Sequence, residues 1–145
     1  MAAMRTVEVV WENDLLTGRG SVKMSSGALP DFPVTWASRT ETPEGKTSPE
    51  ELLAAAHASC YAMALSATLS RRRTPPERLN VTAQCTLDKV GDGFKVTTME
   101  LTVRGRVPGL EQSVFQEVAQ VAEKSCPISN AIRNNVEIRL TAKLN

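Results

Sequence analysis

The stretch from residue 48 to residue 69 constrains the fold more than any other part of this sequence. Ser48 is suited to cap a helix, Pro49 to its first position and Glu51 to its third, which together form a capping box. From residue 52 to residue 69 nearly every side chain is apolar or small, on all sides of the predicted helix. A helix without a polar face has to be buried on every side, so we expect a long central helix.

A membrane or a protein core can bury such a helix. Alanine is only weakly apolar, and the stretch contains a histidine and several hydroxyl groups, so a core helix is favoured over a membrane span. The chain has 145 residues, enough for one core, and we expect residues 1–145 to form a single domain. Because so small a domain has difficulty covering a helix on all sides, we expect an obligate homodimer in which a second copy supplies the cover.

The charge of the chain gives no sign of a nucleic-acid partner. The 17 lysines and arginines are balanced by 16 acidic residues, and both signs are spread along the sequence. Arg5 and Glu8 interrupt the apolar segment that a signal peptide would need, so we expect a cytoplasmic protein. In that reducing environment the three cysteines are catalytic, metal-binding or simply buried, rather than structurally bridged.

The flanking segments predict a mixture of strands and helices. Residues 6–11 are rich in β-branched side chains and begin an N-terminal hairpin. Residues 34–36 predict a short strand that would place Arg39 at a strand end, in a loop containing glycine and proline. Alternating apolar and polar residues over 79–88, followed by a glycine-rich turn, predict a long hairpin whose second strand ends near Val107.

The C-terminal third continues this mixture. Apolar residues recur at helical spacing over residues 111–124, which predicts an amphipathic helix packed on the hairpin. Pro127 breaks that helix and begins a short one at Cys126. Alternation over residues 136–144 predicts a closing antiparallel strand. The expected fold class is therefore α+β.

The three cysteines occupy different predicted environments. Cys85 alternates in phase with apolar strand residues, so we interpret it as a small buried hydrophobe outside any site. Cys126 lies at a helix N-terminus, where unpaired N–H groups stabilise a thiolate, although it is equally explained as an ordinary helix-end residue. Cys60 lies in the middle of a long helix, far from the positive end of the dipole, so burial makes it inert unless a cation is supplied from elsewhere.

His57, the only histidine, precedes Cys60 by three residues and therefore shares its helical face. This spacing permits a cysteine nucleophile with a histidine base, but a lone histidine in a helix is more often a polar side chain with a hydrogen-bond partner. One histidine and three scattered cysteines have none of the paired spacings of zinc ligands, so no metal is expected.

Two segments resemble the signature regions of the OsmC/Ohr hydroperoxide reductases. They are SPEELLAAAHASCYAMALS, which contains Cys60, and KSCPISNAI, which contains Cys126. The resemblance extends over nearly the whole chain, including LDKVGDGFKVT and the position of Arg39, and is closer to the OsmC branch than to the Ohr branch. Either segment alone would be weak, but the pair is fairly specific.

The resemblance implies a fold of antiparallel sheets around a long buried central helix, assembled as an intertwined homodimer. It implies that Cys60 is the peroxidatic nucleophile, that Cys126 resolves it as a disulfide, and that Arg39 and Glu50 complete the catalytic site. A buried thiolate requires a fixed cation, and a buried guanidinium requires a carboxylate. No cofactor is implied. The expected partners are an organic hydroperoxide or hydrogen peroxide and an external dithiol, namely a lipoylated protein, a thioredoxin or a small thiol.

Two other functions remain open on the sequence. A cysteine hydrolase or acyltransferase would use His57 as a base on Cys60 and would not need Cys126. A non-catalytic ligand-binding dimer would consume no peroxide. Apolar neighbours of the cysteines would form an entrance suited to organic hydroperoxides. These neighbours are Leu53, Tyr61, Met63 and Ile128.

Overall fold

The computed structural model describes residues 1–145, in which six strands and four helices divide between two units, residues 1–52 and residues 53–145. In chain order the elements are β1 (Val7–Glu12), β2 (Arg19–Met24), β3 (Phe32–Val34), α1 (Trp36–Thr40), α2 (Pro49–Arg71), β4 (Arg78–Val90), β5 (Gly93–Arg106), α3 (Gln112–Ser125), α4 (Pro127–Ile132) and β6 (Glu137–Leu144). Strands β1 to β3 form one sheet and β4 to β6 form another. This content agrees with the predicted α+β class.

The N-terminal hairpin is confirmed. β1 pairs with β2 in antiparallel register from Val7 opposite Met24 to Glu12 opposite Arg19, and β3 adds to the far side of β2. All six residues of β1 are exposed in the single chain.

The prediction of a strand over residues 34–36 is wrong in its position, and so is the placement of Arg39 at a strand end. β3 ends at Val34, and Thr35 caps the short helix α1 instead. The Thr35 hydroxyl accepts the Ser38 N–H at 3.0 Å, while the Ser38 hydroxyl accepts the Thr35 N–H at 3.0 Å. Because this reciprocal pair satisfies the free backbone groups of a helical turn, the chain coils and Arg39 falls in the last turn of α1.

Helix α2 begins where the sequence predicted, with the Ser48 hydroxyl accepting the Glu51 N–H at 3.1 Å. It continues two residues beyond the predicted end, to Arg71. One side of the helix is buried, at positions 57, 61, 65, 68 and 69. The other side is exposed in the single chain, and Met63 on that side is 71% exposed. Burial of this second side by another subunit stays a prediction.

The second sheet corrects the direction of the last strand. β4 and β5 form the predicted antiparallel hairpin, but β6 pairs with β5 in parallel, from Thr98 opposite Glu137 to Gly105 opposite Leu144. β6 follows β5 through two helices, a crossover that returns the chain to the end at which β5 starts. Alternation of apolar residues predicts which face of a strand is buried but not the direction in which the strand runs.

The core of the C-terminal unit lies between its sheet, α2 and α3. The buried face of α2 packs with apolar residues of β5 and with Phe115, Val118, Ala119 and Ala122 of α3, which confirms the amphipathic helix. The chain has one helix, α2, that is long and apolar enough to cross a membrane. Because Tyr61, Leu65 and Leu69 of that helix are fully buried in this core, α2 has the character of a core helix.

Candidate active site

The structure brings Cys60 and Cys126 together, although 66 positions separate them in the sequence. Cys60 is partly buried on α2, and Cys126 is fully buried at the N-cap of α4. Their Sγ atoms lie 3.4 Å apart, and both thiols are free. A disulfide has an S–S distance of about 2.05 Å, so a displacement of little more than an ångström joins the two sulfurs.

The position of Cys126 follows from the local sequence. α3 ends at Ser125, and the extended backbone of Cys126 separates it from α4. Pro127 cannot donate the hydrogen bond that would continue α3, but it suits the first position of a new helix. The break therefore turns the side chain at residue 126 toward α2 instead of leaving it on the surface of one continuous helix.

The surroundings of Cys60 act on its thiol in opposite directions. Burial has the largest effect and raises the pKa of the Cys60 thiol above its ordinary value. A hydrogen bond from the Ile128 backbone N–H lowers this pKa, whereas the adjacent Cys126 raises it again. Since Pro127 has no N–H, that of Ile128 is the first available donor at the N-terminus of α4. The balance favours a neutral thiol, so a thiolate at neutral pH needs a further positive charge.

Arg39 and Glu50 also come together, within the N-terminal unit. Arg39 Nε lies 3.0 Å and 3.2 Å from the two carboxylate oxygens of Glu50, and Nη2 lies 2.8 Å from Oε1. The Glu50 side chain is 9% exposed, and the guanidinium carbon of Arg39 lies 5.9 Å from the ring centre of Trp36. This forked pairing fixes the plane of the guanidinium through Nε and Nη2, and Nη1 takes no part in it.

Cys85 takes no part in the thiol pair. It is partly buried in β4 opposite Met99 of β5, on the face where Leu79, Val81 and Ala83 pack against the core. Its predicted place on the apolar face of a strand is confirmed.

His57 is fully buried, and its ring Nε2 lies 2.7 Å from the Ser129 hydroxyl of α4. Burial lowers the pKa of His57 below its ordinary value, against an opposite effect of Glu123, while Arg133 lowers it further. The sequence predicted a hydrogen-bonded histidine but missed its partner. Ser129 follows Cys126 by three residues in the second signature segment, and that spacing on a helix was the available signal.

A second polar contact holds the other end of α4. Arg133 Nη2 lies 2.8 Å from Glu123 Oε1, an ion pair without hydrogen-bond alignment, and donates to the Glu123 backbone carbonyl at 3.2 Å. Glu123 belongs to α3 and is buried. This pair has no signal in the sequence, because its members lie ten positions apart, across the break at Pro127.

Tyr61 does not belong to an apolar entrance. Its side chain is fully buried, and its hydroxyl donates to the Ala119 carbonyl at 3.1 Å. Tyr61 is a core residue because helical spacing places it on the buried side of α2 together with His57 and Leu65.

The two sheets, the long apolar helix and the thiol pair together define a known class of fold. The crystal structure of an organic hydroperoxide resistance protein from Elizabethkingia anophelis aligns with this chain at a TM-score of 0.77 and 27% identity, covering 100% of each chain. The architecture is therefore that of the OsmC/Ohr proteins.

The family follows from the sequence comparisons. A family model described as OsmC-like protein matches residues 42–141, and this chain belongs to that family. Peroxiredoxin OsmC of Escherichia coli is 38% identical over 128 residues, which cover 88% of this chain and 89% of the relative. The organic hydroperoxide resistance protein OhrB of Bacillus subtilis is 28% identical over 126 residues, 86% of this chain and 89% of the relative. The higher identity to the OsmC protein confirms the predicted branch.

Proposed function

We propose that this chain is a thiol-dependent hydroperoxide reductase that acts in defence against oxidative stress. The observation that carries the proposal is the 3.4 Å separation of the two free sulfurs of Cys60 and Cys126. Peroxiredoxin OsmC and the organic hydroperoxide resistance proteins are named for activities that this thiol pair is equipped to perform.

In the proposed reaction the Cys60 thiolate attacks the terminal oxygen of a hydroperoxide. The O–O bond breaks, the sulfur is oxidised to a sulfenic acid, and the departing alkoxide takes up a proton and leaves as an alcohol, or as water from hydrogen peroxide. The Cys126 thiol then displaces water from the sulfenic acid and forms the disulfide. An external dithiol reduces the disulfide by thiol exchange, and we propose a lipoylated protein, a thioredoxin or a small thiol for this role.

We propose that Arg39 supplies the positive charge that Cys60 lacks in its own surroundings. The guanidinium would stabilise the thiolate and the charge that develops on the departing oxygen. Two features support this role. The paired Glu50 carboxylate fixes the guanidinium, and Nη1 takes no part in this pairing. Glu50 would therefore act as a positioning residue through Arg39.

Intact-mass analysis after one equivalent of hydroperoxide tests the reaction. We expect the loss of two hydrogen atoms and a cross-linked peptide pair that contains residues 60 and 126. Cys85→Ala is the matched control, because it removes the third cysteine and should leave both results unchanged. Unchanged free thiols after peroxide treatment would instead support a non-catalytic ligand-binding dimer.

Initial rates with cumene hydroperoxide and with hydrogen peroxide measure the preference between the two substrates. A strong preference for hydrogen peroxide would contradict an organic substrate.

The hydrolase alternative is not favoured. Its base, His57, has Ser129 as its hydrogen-bond partner, whereas the sulfur of Cys60 contacts Cys126. A cysteine hydrolase also has no need of a second buried cysteine 3.4 Å from its nucleophile. Trapping with an activated ester checks this point, since we expect no acyl thioester at residue 60.

We propose that the functional unit is a homodimer. The support is the apolar surface that the single chain leaves exposed, which includes Met63 on α2 at 71% and Val9 on β1 at 55%. A second copy that covered these residues would complete the burial of α2. Sedimentation velocity should give twice the 15.7 kDa mass of the chain, and a monomer at micromolar concentration would exclude this proposal.

We further propose that residues 1–145 act as one domain and that the reaction takes place in the cytoplasm. A single domain should unfold in one cooperative transition, and two separate transitions for residues 1–52 and 53–145 would exclude a single domain.

A thiol enzyme that is recycled by external reduction suits a reducing compartment such as the cytoplasm, and cell fractionation tests this location directly.

A further inference from the structure

Helix α4 has only six residues, and two polar contacts fix its position in the C-terminal unit. Ser129 binds His57 of α2 at 2.7 Å, and Arg133 at the C-terminal end of α4 pairs with Glu123 of α3 at 2.8 Å. A helix this short has little stability of its own, so its position depends on the contacts that it makes.

Two groups at the N-terminal end of α4 act on Cys60. Cys126 is the N-cap and contributes the second sulfur, and Ile128 contributes the N–H that binds the Cys60 sulfur. Ser129 is the next residue after Ile128, and His57 lies three residues before Cys60 on α2. The hydrogen bond between His57 and Ser129 therefore joins the two helices directly beside the thiol pair.

The His57–Ser129 contact is difficult to replace. Both side chains are fully buried, and the His57 Nδ1 atom has no hydrogen-bond partner in the chain. Nε2 is thus the only ring nitrogen that is satisfied, and Ser129 is its partner. Loss of the serine hydroxyl would leave a buried imidazole with no polar contact, a state that favours rearrangement of the two helices.

We propose that the hydrogen bond between His57 and Ser129 positions α4 against α2, and thereby determines whether the oxidised Cys60 is resolved or over-oxidised. The proposal rests on the reductase function proposed above. A Cys60 sulfenic acid has two fates. It condenses with the Cys126 thiol to give the disulfide and water, or it reacts with a second hydroperoxide, which oxidises the sulfur to a sulfinic acid and leaves as an alcohol. A well-positioned Cys126 favours the first fate.

The measured quantity is the hydroperoxide concentration at which half of Cys60 becomes sulfinic acid in a single turnover, read by mass spectrometry. This concentration compares two fates of one intermediate, so it does not depend on the rate of the first attack. In Ser129→Ala we expect it to fall about tenfold, because one buried hydrogen bond no longer holds α4. In His57→Gln, whose amide still reaches the serine hydroxyl, it should stay close to the parent value.

Ser125→Ala is the matched control. Ser125 also adjoins Cys126, but its hydroxyl binds only the Ala122 carbonyl of its own helix, so the half-oxidation concentration should not change. Should Ser129→Ala fail to fold, as judged by its melting temperature, His57→Met removes the same hydrogen bond and is expected to give the same tenfold fall. Equal values in the parent and in every folded variant would overturn the inference, while a parent that forms no disulfide would overturn the proposed function instead.

Discussion

Replacement of Cys126 by serine tests the proposed chemistry most directly. The substitution keeps the size of the side chain and the start of α4, and removes only the sulfur that lies 3.4 Å from Cys60. The first hydroperoxide should still be consumed, because the attacking sulfur is unchanged. The sulfenic acid then has no neighbouring thiol, so we expect turnover to stop after one equivalent until an external thiol reacts.

The size of the effect follows from the distance. A separation of 3.4 Å lies within the range of about 3–3.5 Å for near-attack geometry, in which effective concentrations reach roughly 10⁵ M. Even a hundred-thousandth of that value, about 1 M, exceeds an external dithiol at about 10 mM by about a hundredfold. We therefore expect the Cys60 sulfenic acid to disappear at least about 100-fold more slowly in the variant than in the parent, or about 2.7 kcal/mol in activation free energy.

The assay follows the sulfenic acid of Cys60 over time by the intact mass of the protein, after one equivalent of hydroperoxide in the presence of the dithiol. The variant should gain one and then two oxygen atoms where the parent loses two hydrogens, and Cys85→Ala should behave as the parent does. A sulfenic acid lifetime within about threefold of that in the parent would refute the reasoning, because resolution through Cys126 would then contribute less than about 1 kcal/mol.

Three further predictions follow from other contacts. Glu50→Gln should lower kcat/KM for hydroperoxide at least about tenfold, because the guanidinium of Arg39 loses its charged partner. The control Glu51→Gln should change kcat/KM less than about twofold, and equal losses in both variants would contradict the positioning role of Glu50. Burial depresses the pKa of His57, so the stability that depends on a neutral His57 is fully present above the ordinary pKa of 6.5 and is lost as pH falls through the depressed pKa. Urea unfolding from pH 7 to pH 5 should therefore show a steeper loss of stability in the parent than in His57→Gln. Gly105→Ala should lower the free energy of unfolding by about 1–3 kcal/mol, since the added Cβ would lie 2.7 Å from the buried ring of Phe115. An unchanged urea midpoint would contradict this prediction and show that the ring moves aside freely.

The arrangement also explains why neither cysteine can be evaluated alone. Cys60 is a mid-helix thiol whose pKa burial raises, which by itself describes an inert core residue. Cys126 is a buried residue in the break between two helices. Their proximity, with the Ile128 N–H directed at the same sulfur, is what distinguishes the pair from two ordinary buried thiols.

Local patterns in the sequence predicted the elements that depend on neighbouring residues. The capping residues Ser48 and Pro49 determined where α2 begins, and helical spacing of apolar residues determined which face of α3 is buried. Alternation and a glycine turn determined the β4–β5 hairpin. These features are satisfied within a few residues along the chain, so a single sequence is enough to predict them. The family resemblance of the two cysteine segments was also a property of the sequence alone.

The tertiary structure decided whatever depends on residues that are distant along the chain. The parallel direction of β6 results from the crossover through α3 and α4. The helical turn that carries Arg39 is an exception, because its signal, the reciprocal capping by Thr35 and Ser38, is local. The bond between His57 and Ser129 spans 72 positions, and the spacing of Ser129 from Cys126 indicates a shared helical face without identifying the partner of Ser129. Local periodicity fixes which side of an element is apolar, but only the closing of long loops around a shared core brings two particular side chains within bonding distance.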